Sequence, residues 1–143
     1  MNRRIVVMGC IEAEDFECNV PWACISIATT EDDFVKIHRR RRCGLLQIAF
    51  ADMTQQLPGL ILFNSEHAHD ILDFVTLQWP QIKLLMIHCE QGLSRSPAVA
   101  AAIARLKTGK GRRFFQEPYL PNGYVYRQLL EVAAGRGDYQ REG

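Results

Sequence analysis

The residues of this chain best suited to chemistry occupy nine consecutive positions, His88-Cys89-Glu90-Gln91-Gly92-Leu93-Ser94-Arg95-Ser96. The thiolate is the nucleophilic form of cysteine, and convergent amides, a helix N-terminus and a nearby guanidinium all favour it. Cys89 is therefore the candidate nucleophile. Arg95, with five residues between it and Cys89, can close the loop and set a planar fork on two oxygens of a phosphoryl group, a geometry that a lysine ammonium does not match. Gly92 permits backbone torsions that a Cβ forbids. Ser94 and Ser96 bring hydroxyls beside the sulfur. Glu90, Gln91, Gly92, Leu93, Ser94 and Arg95 together form the candidate phosphate cradle, and His88 is better placed to fix the loop by hydrogen bonds than to act as a base. Glu90 adds negative charge beside a site meant for an anion, so its carboxylate is expected to point away from the pocket.

Two elements must position this loop. The apolar run Ile82–Ile87 reads as a buried strand, and Pro97–Leu106 reads as a helix. Pro97 lacks the amide hydrogen that a first helical position leaves unsatisfied, which makes Ser96 the expected N-cap and Gly109 the expected stop. A loop between a strand and a helix start turns backbone N–H groups and the positive end of a helix dipole toward one point. An oxyanion is the expected occupant.

These residues resemble the cysteine-dependent protein tyrosine phosphatase signature H-C-x5-R-S/T, and the form H-C-x-x-G-x-S-R-S is similar to its dual-specificity branch. Pro121-Asn122-Gly123 ahead of a last helix also looks like small bacterial and phage members of that branch. The resemblance implies a protein-tyrosine-phosphatase-like α/β sandwich with a mostly parallel central sheet flanked by helices. It also implies hydrolysis of a phosphomonoester through a cysteinyl-phosphate, with no metal or cofactor. The leaving oxygen needs a proton, which a carboxylic acid on a neighbouring loop can give. In the resembling family that acid is an Asp on a loop after a strand upstream of the nucleophile, and Asp52 occupies such a place. Asp70 and Asp73 are the alternatives. Ser96 is expected to ease departure of the sulfur.

The rest of the chain is read in order. Arg4–Gly9 is a first strand, Glu12–Glu17 an acidic connection or helical turn, Trp22–Ala28 a second strand, and Leu45–Phe50 a third. Ser65–Leu77 is a helix with Ser65 as N-cap and with Ile71, Phe74, Val75 and Leu77 as its apolar stripe; His67 and His69 share it but project from different faces. Lys110–Leu120 has no clean period, and Tyr124–Ala134 is a last helix stopped by Gly135.

At 143 residues, 48% hydrophobic and 23% charged, residues 1–143 fit one catalytic domain with its own core. The formal net charge of +1 supplies no global field for nucleic acid or membrane, so any electrostatic recruitment is local. Cys10, Cys18, Cys24, Cys43 and Cys89 are odd in number and lack C-x-x-C spacing, which argues against a disulfide framework or zinc site and for reducing cytoplasm. The N-terminal segment Met1–Gly9 has charges like a signal peptide, but its apolar run is too short, and no stretch approaches a membrane span. The expected partner is a phosphorylated protein or peptide. The run Arg39-Arg40-Arg41-Arg42 is either a solvated connection or a patch recruiting a phosphoinositide or an RNA 5′ end. Two further readings differ in chemistry: a phosphate-binding module without turnover, and a rhodanese-like or arsenate-reducing enzyme, which would need a resolving thiol near Cys89.

Overall fold

The structure, a computed structural model, describes residues 3–139; Met1 and Asn2 of the N-terminal segment lie outside the described residues. In chain order the elements are β1 (Arg4–Met8), α1 (Cys10–Asp15), β2 (Trp22–Ala28), β3 (Arg42–Ala49), α2 (Ser65–Gln78), β4 (Leu84–His88), α3 (Arg95–Thr108) and α4 (Gly123–Gly135). Short 3₁₀ turns lie at Glu31–Asp33, Trp79–Gln81 and Arg112–Phe115. Among the described residues the strands form one parallel sheet in the order β1-β4-β2-β3. All carboxyl ends therefore face the same way, and the loops that follow them gather at one rim.

The sequence explains which strands are central. Every residue of β2 and of β4 is buried, as expected for strands covered on both faces, whereas β1 and β3 are only partly covered at the edges. Alternation sorts the side chains between two cores. Ala23, Ile25 and Ile27 of β2 and Leu85 and Ile87 of β4 meet α2, α3 and α4, while Trp22, Cys24, Leu84 and Met86 face the side that carries Ala13 of α1 and Ile37. The alanine-rich run of α3 is buried from Arg95 to Ala104, and small side chains let it lie close against the sheet.

Several boundaries depart from the sequence reading, each for a local reason. α2 is capped by Asn64, not Ser65: the Asn64 side chain accepts from the N–H groups of Glu66 and His67, and His67 Nδ1 accepts from the Asn64 N–H at 3.0 Å. Ser96 is likewise no N-cap. α3 begins at Arg95 after Ser94, which leaves Ser96 inside the first turn. α4 runs through Gly135 and ends at Arg136, with Gly137 taking the left-handed conformation at φ +81°. β3 starts at Arg42, earlier than the apolar run, because its edge position tolerates charged and polar residues.

The corrected cap makes a direct prediction. Asn64→Ala should lower stability by about 1 kcal/mol, as loss of an N-cap does, whereas Ser65→Ala should stay within a few tenths. Urea unfolding of the two variants checks it.

Candidate active site

The loop between β4 and α3 takes its shape from the end of β1. The Cys89 N–H donates to the Met8 carbonyl at 3.4 Å, and the Cys10 N–H donates to the Glu90 carbonyl at 3.0 Å. Gly92 sits at φ +76°, and a Cβ there would lie 2.6 Å from the Met8 carbonyl carbon and 2.7 Å from the Gly9 nitrogen. Both the torsion and the close approach therefore exclude any other residue.

Within that loop Cys89 is 2% exposed, its Sγ 3.0 Å from the Ser96 hydroxyl and accepting the Gly92 N–H at 3.3 Å. The displaced helix start is what turns Ser96 toward the sulfur. His88 points to the opposite face of the sheet. Its Nδ1 lies 3.3 Å from the Cys89 carbonyl, which can only accept, so Nδ1 carries the proton and Nε2 accepts from the Ser26 hydroxyl at 2.6 Å. Burial lowers the His88 pKa, against the opposing pull of the Cys89 carbonyl and the Glu14 charge, so the ring is neutral at neutral pH. It holds the loop from behind, as a positioning residue.

Arg95 is 4% exposed. Its Nη1 donates to the Phe50 carbonyl at 2.9 Å and to the Thr29 hydroxyl at 3.1 Å, the residues that follow β3 and β2. Its Nη2 lies 3.9 Å from Glu90 Oε2. Glu90 lines the pocket, but, contrary to expectation, its exposed carboxylate turns back toward the buried Arg95 guanidinium. Thr29, Asp52, Cys89, Glu90, Gln91, Leu93, Ser94 and Arg95 enclose a pocket of about 250 Å³.

Asp52 reaches this pocket from the loop after β3. That loop is clamped at its base, where Phe50 and Phe63 are buried with ring centroids 4.8 Å apart and the Ala51 N–H donates to the Ile61 carbonyl at 2.8 Å. Asp52 Oδ1 accepts from the Ser94 hydroxyl and from Asn122 Nδ2, both at 2.9 Å. In sequence Asn122 stands only as part of the lead into the last helix. Its side-chain oxygen does cap α4, accepting the Val125 N–H at 3.1 Å, while its amide nitrogen holds Asp52 and its backbone N–H donates to the Ser94 carbonyl at 3.1 Å. The Pro-Asn-Gly helix-start signal could have flagged the cap but not the amide's second partner. Asp70 and Asp73 do not line the pocket; Asp73 pairs with Arg136 at 2.7 Å on α2's outer face.

The Arg39–Arg42 run lies at the amino end of β3, about 25 Å along an eight-residue strand from the rim that carries the pocket. There it builds a turn. The carbonyls of Arg40 and Arg41 accept from the Trp22 indole and backbone at 2.7 Å and 3.2 Å, and the Arg42 guanidinium donates to the Ile37 and His38 carbonyls. Of the other thiols, Cys24 is fully buried and pushed up to about 12 by that burial, which makes it inert. No helix among the described residues is long and apolar enough to cross a membrane.

Gly92→Ala should therefore destabilise the protein by more than the ~1–2 kcal/mol of a left-handed non-glycine residue alone, and should weaken inhibition by vanadate. Gly109→Ala is the matched control, since Gly109 has φ +75° but open space where a Cβ would go. It should show the stability cost and leave vanadate inhibition unchanged.

No protein-family model matches the sequence, and no curated protein sequence matches it. Solved structures do share its fold. DUSP15 superposes with a TM-score of 0.62 and 20% identity, covering 97% of this chain and 92% of that one. The human tyrosine phosphatase-like serine/threonine/tyrosine-interacting protein gives 0.54 and 24%, over 80% and 77%. PTPMT1 in complex with PI(5)P gives 0.54 and 13%, over 82% and 81%. The likeness extends over most of this chain, the four-stranded parallel sheet and its flanking helices. The chain therefore shares the fold of these dual-specificity and tyrosine-phosphatase-like proteins.

Proposed function

We propose that the chain is a phosphomonoester hydrolase, a protein phosphatase of tyrosine or dual-specificity type working through a cysteinyl-phosphate. The observation that carries this reading is the Cys89 sulfur, held by the Gly92 N–H and the Ser96 hydroxyl in a pocket that Arg95 and Asp52 also line. In the first step the Cys89 thiolate attacks phosphorus in line. The S–P bond forms as the P–O ester bond breaks, and the leaving oxygen takes its proton from the Asp52 carboxylic acid. The loop amides and Arg95 hold the equatorial oxygens while charge redistributes. In the second step water attacks phosphorus and gives its proton to Asp52, and the thiolate departs toward the Gly92 N–H and Ser96 hydroxyl. Asp52 Oδ2, with no hydrogen-bond partner among the described residues, is the oxygen free for these transfers.

The pocket is small, and Asp52, Glu90 and Leu93 are exposed around it. A shallow site favours admission of phosphoserine and phosphothreonine together with phosphotyrosine. The complex of PTPMT1 with PI(5)P keeps a phosphoinositide substrate as the nearest alternative of like chemistry. Glu90 at the mouth disfavours a headgroup carrying several phosphates, and the Arg39–Arg42 run is too distant to offset it. Cytoplasm is the compartment that suits a thiolate nucleophile.

Two variants test the proposal. Cys89→Ser should abolish hydrolysis of phosphopeptides while tungstate or vanadate still binds; turnover near the wild-type rate would remove Cys89 as nucleophile. Asp52→Asn should lower kcat by about 10²- to 10⁴-fold for alkyl phosphates and far less for activated aryl phosphates, whose leaving oxygen needs no proton. Equal losses for both classes would assign Asp52 a structural role instead.

A further inference from the structure

A groove of about 910 Å³ opens at the far end of α3, lined by Arg105, Lys110, Arg112, Arg113, Phe115 and Tyr126. It is separate from the active site. α3 begins at Arg95 and its fourteen residues span roughly 20 Å, so the groove lies at the opposite end of the sheet from Cys89. Its charge is one-sided: five of the nine residues from Arg105 to Arg113 are basic, and no acidic residue occurs before Glu117. Four of these cations, Arg105, Lys110, Arg112 and Arg113, line the groove itself.

The groove is built as well as charged. A Cβ on Gly111 would lie 2.6 Å from the Ala101 carbonyl oxygen, so this glycine lets the turn after α3 fold directly back onto the helix. The Arg105 Nη1 donates to the Tyr126 hydroxyl at 3.0 Å and its guanidinium stacks 5.3 Å from the Tyr139 ring. Arg113 donates to the Ile5 carbonyl at 2.7 Å and lies 4.0 Å over the Phe114 ring. Against these two fixed cations, the exposed side chains of Lys110 and Arg112 make no hydrogen bond or ion pair among the described residues. Phe115 is 48% exposed, its ring set edge-on to Tyr126 at 5.0 Å.

We propose that this groove binds a single-stranded nucleic acid. Cations at fixed and free positions along an open channel suit successive backbone phosphates, and a half-exposed ring between them suits a base, whose π-face stacks on aromatic side chains regardless of sequence. An acidic peptide would use the cations and leave the exposed face of Phe115 unstacked. An anionic bilayer needs a protruding surface, and these cations line a concave one. The site is independent of the proposed hydrolysis, because none of its residues lies in the catalytic pocket.

Fluorescence anisotropy of a labelled twelve-nucleotide oligouridine with the full chain tests it. Saturable binding is expected, weakening with salt at a log–log slope of about −2 to −3, as three or four phosphate contacts on a single strand give. Lys110→Glu with Arg112→Glu should weaken binding at least tenfold, and Phe115→Ala about fivefold or more. Circular dichroism and hydrolysis of an aryl phosphate should match wild type in both variants, which separates this site from the catalytic one. The proposal is overturned if the double variant binds oligouridine as wild type does. It is overturned equally if a polyglutamate peptide binds as tightly and Phe115→Ala is silent, or if phosphatidylserine vesicles bind and oligouridine does not.

Discussion

The site depends on keeping the Arg95 guanidinium buried and charged. Removing such an ion from water costs several kcal/mol unless its donors are met by acceptors, and leaving one unmatched is strongly destabilising. The fold meets the requirement with groups that cannot be rearranged locally: the Phe50 carbonyl after β3 and the Thr29 hydroxyl after β2. Both central and edge strands must therefore end in register for Arg95 to be satisfied. No buried side-chain nitrogen or oxygen among the described residues lacks a partner. Glu90 adds an outer acceptor at 3.9 Å, close enough to balance part of the charge while its own carboxylate remains exposed.

A second layer of support runs behind the loop, on the side of the sheet away from α3. Ser26 and His88 are register partners in β2 and β4, so their hydrogen bond costs no searching of conformations once the strands pair. On the near side, Asn122 connects three things at once: the start of α4, the carboxylate of Asp52 and the backbone of Ser94. The last helix is thereby part of the site although it contributes no side chain to the pocket lining.

Much of this could be read from the sequence where a pattern is local. β2 is bounded by a break at Pro21 and a polar turn at Thr29, and its seven residues match the run the sequence predicts. The Cys89-to-Arg95 loop announces itself because its chemistry and its geometry occupy the same few residues. Reading failed where a residue's partner is distant in sequence. Asn64 and Ser65 are both good caps, and only the Asn64 backbone, paired with the His67 ring, decides between them. Pro97 makes Ser96 look like a cap, yet α3 starts earlier, and only the second expectation for Ser96, a hydroxyl beside the sulfur, matches the structure. The arginine run drew notice for its density, but its carbonyls, more than its charges, are what Trp22 uses.

The contact between Gly92 and the end of β1 has a consequence for how the molecule assembles. The two segments are more than eighty residues apart in the chain, and β1 is an edge strand that pairs only with β4. Closing so long a loop is entropically costly, and non-local parallel pairing is among the slower events in folding. A chain in which β2, β3 and β4 had already paired would still have no surface against which the loop could take its left-handed turn at Gly92. The shape of the loop around Cys89 is thus a product of the docking of the amino-terminal strand, and it waits until β1 has found β4, the last strand among the described residues.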